Sequence, residues 1–219
     1  MRFFIGDVHG CALELELMIK RIHQLDSHPE IIAVGDLINK GPQSIEVLEI
    51  VKSQHIQCIQ GNHEAAFLRI YHTPEDVRTE KEQKFISRFQ GKEAAWAPFI
   101  STWPYWLEWD DILCIHAGVD PGVKNLENMN KRTITTIRTW DGLGANLDNP
   151  LDKPWFETIQ WPKKIVFGHW AMRGLVNEFN VVGLDTGCVY GGQLTAWCPE
   201  TNEFIQIQAQ KQYALMAKD

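Results

Sequence analysis

The chain has 219 residues, 44% of them hydrophobic and 22% charged, a balance that is typical of a globular protein and excludes bulk disorder. Its formal net charge of −7, without a long basic run, argues against a partner as large as a long nucleic acid. No apolar run approaches the roughly 20 residues that cross a bilayer, so no membrane partner is expected.

Cysteine usage points to a reducing compartment. The five cysteines are scattered, odd in number and without a C-x-x-C pair, so reduced thiols in the cytoplasm are the simplest interpretation. The opening segment MRFFIGDVHG reaches an acidic residue at Asp7, which is too early for a signal peptide and fits a first strand.

The first third of the chain alternates between β-like runs and amphipathic helical stretches. This rhythm predicts an α/β fold, in which helices pack against the faces of a sheet. The predicted elements are strand 2–5, helix 12–25, strand 31–34, helix 44–52, strand 56–59 and helix 63–71.

Residues 73–100 break this rhythm, because they are charged and helical in pattern. They predict a helical cover over the sheet edge, favoured over a lid that shapes the substrate site. Next come a predicted hairpin (105–109 and 112–115), a stretch of mixed character (124–138) and a Gly- and Asn-rich loop (141–154). Four short strands complete the prediction, at 165–167, 179–184, 193–197 and 203–207.

Metal-binding side chains directly follow five of the predicted strands. In four of these five segments, Gly precedes the first such residue. If the strands are neighbours, two Asp, one Asn and up to four His converge at their carboxyl ends, a ligand set that suits manganese, iron or zinc. The segments are Gly6-Asp7-Val8-His9-Gly10, Gly35-Asp36, Gly61-Asn62-His63-Glu64, His116-Ala117-Gly118 and Gly168-His169.

Each of these segments is weak evidence on its own. Gly-Asp after a strand is usually a turn, and a lone histidine is usually a hydrogen-bonded polar residue. Their occurrence together, in this order and at strand ends, favours a metal centre.

The series GDVHG, GDLINKGP, GNHE, HAGV and GHW resembles the signature motifs of the calcineurin-like metallophosphoesterases. The resemblance is to the branch that holds protein Ser/Thr phosphatases and bacterial symmetrical diadenosine tetraphosphatases, and it runs from residue 4 to about residue 199. It implies one domain over residues 1–219, built as a β-sandwich flanked by helices. It also implies two divalent metal ions, with manganese expected first and iron, zinc, cobalt or magnesium as alternatives.

The resemblance implies roles for individual residues. Asp7 and His9 would hold the first metal, and Asp36 would bridge both. The ions would activate a hydroxide that attacks phosphorus in line, with His63 as the general acid. The second metal would be completed by Asn62, His116 and His169. Contacts to the substrate would come from Asn62, Lys40 and Arg138.

The second motif departs from that of the protein phosphatases, which carry Asp-Arg where this chain has Asn39-Lys40. Lysine is a point charge and cannot form the planar fork of arginine. Asn39 removes the carboxylate that orients and charges the general-acid histidine in those enzymes. Glu64 is expected to leave along the other face of its helix and not to replace it. Both departures count against efficient protein-phosphatase activity.

The C-terminal third leans towards the tetraphosphatases through KPWF (153–156) and FGHWA (167–171). GNHE, in contrast, is the protein-phosphatase form, and the chain is shorter than typical tetraphosphatases. Arg138 is expected either to contact phosphate or to form a surface ion pair, and the sequence does not decide between the two. Arg173 is a weaker candidate for a phosphate contact.

Three functional hypotheses follow. The first is symmetrical hydrolysis of a dinucleoside tetraphosphate to two ADP. The second is a protein Ser/Thr or Tyr phosphatase acting on a phosphoprotein. The third, a non-catalytic nucleotide or phosphopeptide binder, is disfavoured by the intact ligand set.

Overall fold

Two five-stranded β-sheets form the centre of the protein, described over residues 1–216 by a computed structural model. The last three residues of the expected domain, 217–219, lie outside the described residues. The strands are β1 (Arg2–Ile5), β2 (Glu30–Ala33), β3 (Gln57–Cys58), β4 (Trp106–Glu108), β5 (Ile112–Ile115), β6 (Thr139–Trp140), β7 (Lys153–Pro154), β8 (Lys164–Phe167), β9 (Val176–Glu178), β10 (Val181–Gly183), β11 (Gln193–Cys198) and β12 (Glu203–Gln208).

Helices flank the sheets, so the predicted α/β fold is confirmed. Of the helices within residues 1–216, none is both long and apolar enough to span a bilayer. The α-helices are α1 (Ala12–Leu25), α2 (Ser44–Ser53), α3 (Asn62–His72), α4 (Glu80–Ile86), α5 (Glu93–Ser101) and α6 (Lys131–Thr136). The 3₁₀ turns are Glu75–Val77, Ser87–Phe89, Leu126–Asn128, Trp155–Glu157 and Cys188–Tyr190.

Each sheet contains three adjacent parallel strands. The first sheet has the order β12-β11-β1-β2-β3, in which β1, β2 and β3 are parallel. The second has the order β4-β5-β8-β10-β9, in which β5, β8 and β10 are parallel. The carboxyl ends of each parallel set therefore share one edge of their sheet, where ligands bind in α/β proteins.

The core explains why the sheets stack. Phe4 and Ile32 of the first sheet pack in one buried cluster with Cys114 and Val166 of the second. On the outer face, α1 buries a stripe of apolar side chains at the spacing of an amphipathic helix. This stripe consists of Leu15, Met18, Ile19 and Ile22.

The expected cover at 73–100 contains α4, most of α5 and two 3₁₀ turns. Thr79 and Glu82 cap the start of α4 by bonding each other's backbone N–H groups. The buried Phe89 stacks on Phe67 of α3, with 4.2 Å between the ring centroids. The segment is thus anchored on the helix that begins at Asn62.

The structure differs from the sequence prediction at several places. Lys153–Pro154, expected to end a loop, pairs with β6. β9 was not predicted, since only Val176 of its three residues is apolar. The strand expected at 179–184 begins at Val181, because Phe179 adopts a left-handed φ of 54° just before it.

Candidate metal centre

Two loops at the carboxyl ends of β1 and β2 are locked together by backbone hydrogen bonds. His9 N–H donates to the Asp36 carbonyl at 2.8 Å, and Gly10 N–H donates to the Leu37 carbonyl at 2.8 Å. Gly41 N–H returns a bond to the His9 carbonyl at 2.9 Å. The first two motifs therefore form one rigid unit.

The Asp36 carboxylate is the centre of the site. Its Oδ2 lies 3.6 Å from His9 Nε2, and its Oδ1 lies 3.5 Å from His116 Nε2. The two oxygens of one buried carboxylate thus face two different histidines. Asp36 is shared between a group with His9 and His63 and a second group with His116 and His169.

Asp7 completes the side of the centre that holds His9. Asp7 Oδ2 lies 3.8 Å from His9 Nε2. Its two oxygens also accept the backbone N–H of His169 at 3.0 and 3.1 Å, so the loop after β8 fixes a carboxylate that follows β1.

The other side of the centre is built around Asn62. Its Oδ1 lies 3.1 Å from His116 Nε2 and 2.9 Å from His169 Nδ1. Asn62 begins α3 shortly after β3 of the first sheet, and the two histidines follow β5 and β8 of the second sheet, so both sheets contribute. The structure brings together all six side chains that the sequence proposed as ligands, while their role as ligands stays a prediction.

Backbone carbonyls orient the three histidines. His116 Nδ1 lies 2.8 Å from the Val34 carbonyl, and His9 Nδ1 lies 3.2 Å from the Ile38 carbonyl. His169 is turned the other way, with Nε2 3.1 Å from the Thr136 carbonyl. A carbonyl accepts a hydrogen bond from the ring nitrogen that faces it, which leaves the opposite nitrogen, the one available to a metal ion, pointing into the centre.

The electrostatics of the centre show a concentration of buried negative charge. Burial raises the pKa of Asp7, and the nearby charge of Asp185 adds to the rise. Burial would also raise the pKa of Asp36, but the charges of His116 and His63 outweigh it and hold this pKa well below its usual value. Burial would lower the pKa of His116, whereas the Asp36 carboxylate raises it to about 10. Buried carboxylates in this arrangement need cations as partners.

Backbone geometry explains the glycines that precede the candidate ligands. A Cβ at Gly61 would lie 2.2 Å from Asp36 Oδ1, and one at Gly168 would lie 2.0 Å from Asp7 Oδ1. Asp36 and His169 themselves have φ values of 52° and 67°, a left-handed conformation that is strained for residues other than glycine.

Glu64 supports the Asp36 loop from inside. The buried carboxylate accepts the backbone N–H groups of Asp36 at 2.8 Å, Leu37 at 2.9 Å, Ile38 at 3.3 Å and Gly61 at 2.9 Å. The Glu64 carboxylate bonds these backbone groups, whereas His63 Nδ1 faces Asn39, so Glu64 does not replace the carboxylate missing at position 39. Sequence reasoning did not find this role in holding the loop.

His63 stands at the edge of the centre, with Nε2 3.8 Å from Asp36 Oδ2. Its Nδ1 lies 2.8 Å from the Asn39 side-chain amide nitrogen. The ring stacks on Phe85 of α4, with 6.2 Å between centroids, so the helical cover reaches the site. Burial lowers the pKa of His63 to about 4, which makes the ring neutral at pH 7.

Lys40 points into the same centre, with Nζ 2.9 Å from His9 Nε2 and 5.2 Å from the centroid of the Tyr190 ring. Burial would lower the pKa of Lys40, but Asp36 and Tyr190 raise it above its usual value, so the ammonium stays charged. Arg88 from the cover donates to the Lys40 carbonyl at 3.0 Å and fixes this turn.

Arg138 lines a cleft of about 480 Å³ that also contains His169. Its Nη1 donates to Asp148 Oδ2 at 2.7 Å, while its Nε is buried and has no hydrogen-bond partner among residues 1–216. The arginine therefore forms the ion pair considered as an alternative and also borders the centre. Arg173 is exposed and pairs with Glu178 at 3.2 Å, away from this cluster.

Asp185 is a further acidic residue of the centre that sequence reasoning missed. It is buried, and its negative charge contributes to the raised pKa of Asp7. The available signal was its position just after β10, since Asp7 and Asp36 also follow strand ends.

The donor set fits divalent metal ions. Carboxylate and amide oxygens together with imidazole nitrogens suit manganese, iron and zinc, and each histidine ring is already held with one nitrogen facing these oxygens.

Comparison with known proteins identifies the family. The sequence pattern of the calcineurin-like phosphoesterases matches residues 3–198. The chain belongs to this family. It is therefore a metal-dependent hydrolase, and the clustered His and Asp residues agree with the two-metal centre of such enzymes.

Similar bacterial sequences carry the name symmetrical bis(5'-nucleosyl)-tetraphosphatase. The Vibrio campbellii protein is 27% identical, with 94% of this chain and 98% of that protein covered. The Neisseria meningitidis protein is 26% identical, with 94% and 95% covered. The alignment with the Vibrio protein spans 266 positions, more than the 219 residues of this chain, so the relative contains segments that this chain lacks.

Solved structures agree with the fold. A crystal structure described as that of a candidate diadenosine tetraphosphatase has a TM-score of 0.82 and 28% identity, covering 95% of this chain and 93% of its own. A protein serine/threonine phosphatase from Saccharomyces cerevisiae has a TM-score of 0.55 and 16% identity, covering 96% and 80%. At that identity the second likeness shows the fold alone.

Proposed function

We propose that this protein hydrolyses dinucleoside tetraphosphates symmetrically, so that diadenosine tetraphosphate yields two ADP. The observation that carries the proposal is the Asp36 carboxylate, whose oxygens face His9 at 3.6 Å and His116 at 3.5 Å. This is the arrangement in which one carboxylate can bridge two ions. The names of the similar bacterial sequences support the choice of substrate.

Asp7, His9 and Asp36 would hold the first ion. Asp36 would also bind a second ion, which Asn62, His116 and His169 would hold. We propose that both ions are manganese. They would supply an activated water for in-line attack on phosphorus and would stabilise the negative charge on the phosphoryl oxygens.

The remaining polar groups would bind and orient the phosphate chain. Lys40 carries a charged ammonium at the rim of the centre, and an ion bound at His9 Nε2 would displace it from its present 2.9 Å contact. Arg138 lies in the cleft beside His169, where its guanidinium can meet a second phosphate. Asn62, at the start of α3, would contact the substrate as well as hold the second ion.

The pair Asn39 and His63 favours a phosphoanhydride over an alkyl ester. Cleavage of the tetraphosphate releases a nucleoside diphosphate, whose terminal phosphate is a weak base with a second pKa of roughly 6. Such a leaving group needs little protonation. A serine alkoxide needs a strong general acid, and a neutral His63 beside a neutral amide is a weak one.

A protein Ser/Thr or Tyr phosphatase is the second candidate, favoured by the GNHE form of the third motif. The test is product chromatography after incubating manganese-loaded protein with diadenosine tetraphosphate, and in parallel with a phosphopeptide. Two ADP with an intact phosphopeptide support the proposal. Phosphate released from the peptide, with the dinucleotide intact, replaces it with the phosphatase. Binding of both without cleavage of either would support the third hypothesis.

The five cysteines are free and buried, which supports a reducing compartment. We propose that the enzyme works in the cytoplasm.

A further inference from the structure

A second cluster of metal-binding side chains lies in the interior, formed by Cys11, Glu14 and Cys188. The two sulfur atoms and a carboxylate oxygen of Glu14 all lie within 4.8 Å of one another. The three residues are 0%, 0% and 1% exposed. None of them belongs to the two groups that share Asp36.

Glu14 is the feature that calls for a cation. Its Oε1 accepts the backbone N–H of Gln210 and the hydroxyl of Tyr213, both at 2.9 Å. Its Oε2 is buried, and within residues 1–216 this oxygen has no hydrogen-bond partner and no lysine or arginine forms an ion pair with the carboxylate. A buried carboxylate oxygen without a partner is costly, and coordination of that oxygen to a metal ion removes the cost.

We propose that Cys11, Glu14 and Cys188 bind a third metal ion, a thiophilic divalent cation such as Zn²⁺. Two thiolates and a carboxylate are three protein ligands of the kinds that zinc takes at about 2.0–2.3 Å, with a fourth position left for water. Sulfur ligands distinguish this site from the oxygen and nitrogen centre around Asp36. Binding releases the two thiol protons to solvent.

The site would join three parts of the chain. Cys11 lies two residues after His9, and Cys188 lies three residues after Asp185. The third part is the C-terminal segment, in which Tyr213 and Ala214 donate their backbone N–H groups to the Val189 carbonyl at 3.0 Å. An ion at this point would fix the two acidic loops and the C-terminal segment relative to one another.

Cobalt substitution tests the site without an activity assay. The protein is produced in cobalt-supplemented medium, so that the buried site can fill as the chain folds. Sulfur ligation to Co²⁺ gives an intense thiolate-to-metal charge-transfer band in the near ultraviolet. The Asp36 centre has no sulfur donor, so this band distinguishes a thiolate site from that centre.

The expected result is a charge-transfer band in the wild type that corresponds to one Co²⁺ per chain and is absent from protein produced in zinc-supplemented medium. Cys188→Ser should lose the band and one bound ion, while Cys198→Ser, which removes another buried thiol, should keep both. A folded wild type that binds cobalt without a thiolate band would overturn the proposal. A band that survives in both Cys188→Ser and Cys11→Ser would also overturn it. Neither outcome depends on the substrate of the Asp36 centre.

Discussion

The Asn39 side-chain amide nitrogen lies 2.8 Å from His63 Nδ1, so a neutral group occupies the place from which a carboxylate would charge this histidine. An amide can donate to Nδ1 or, if it is turned over, accept from it, but it cannot neutralise an imidazolium. This relationship links one residue to the choice between an anhydride and an alkyl ester as the substrate.

Asn39→Asp is expected to raise kcat/KM for a phosphoserine peptide by roughly tenfold, about 1.4 kcal/mol of barrier. The carboxylate would raise the pKa of His63, which burial holds at about 4. A general acid works only below its pKa, so the alkaline limb of the pH–rate profile should move to higher pH. Asn39→Ala is the matched control, and an Asp variant no better than the Ala variant would contradict the role of Asn39.

His63→Ala should slow esters with poor leaving groups by roughly 10²- to 10⁴-fold and should affect p-nitrophenyl phosphate far less. The reason is that only a poor leaving group needs a proton from Nε2, which lies 3.8 Å from Asp36 Oδ2. The metal content should not change. The measurement is a series of phenyl and alkyl phosphates of graded leaving-group pKa, and equal losses across the series would exclude His63 as the general acid.

Asp36→Asn is expected to abolish tight binding at both ion positions, because one carboxylate faces His9 and His116 together. Calorimetric titration with Mn²⁺ should fall from two ions per chain to fewer than one. Asp76→Asn on an exposed 3₁₀ turn is the control and should bind two ions. Two tight ions in the Asp36 variant would mean that another group bridges them.

Glu64→Gln should destabilise the metal-free protein by about 1–3 kcal/mol, because an amide NH₂ would face backbone N–H donors that now share four bonds with the carboxylate. Urea denaturation measures the change in the free energy of unfolding. Glu75→Gln, at an exposed position, serves as the reference and should change it by less than about 0.5 kcal/mol. An equal, small effect in both variants would show that the loop does not depend on Glu64.

Arg138→Ala is predicted to raise the KM for diadenosine tetraphosphate by about tenfold or more, since hydrogen bonds to charged groups contribute roughly 1.5–3 kcal/mol. Asp148→Asn should lower the KM, because Asp148 now holds the guanidinium at 2.7 Å. Steady-state kinetics on the two variants decides the point. If both substitutions raise the KM equally, the pair has a structural role only.

Local pattern was enough to predict much of the fold. Helix 12–25 was predicted with the bounds that α1 has, because its apolar residues keep a helical period. The convergence of the six candidate ligands could be predicted because each of them lies at or just after the end of a strand. β9 was missed, since a single apolar residue gives no alternation.

The rest depends on contacts between distant segments. The four bonds of Glu64 form only because the loop after β2 folds over the start of α3, with Asp36 in a left-handed conformation that few sequences signal. The approach of Cys188 to Cys11 and Glu14 likewise needs β11 to lie beside β1. The spacing of these residues along the sequence does not predict either arrangement.

The most direct test of the central claim is to identify the products of diadenosine tetraphosphate hydrolysis by manganese-loaded wild type and Asp36→Asn, purified in parallel. The account predicts two ADP from the wild type and an intact dinucleotide with the variant. ATP plus AMP as products, or cleavage by the variant at the wild-type rate, would contradict it.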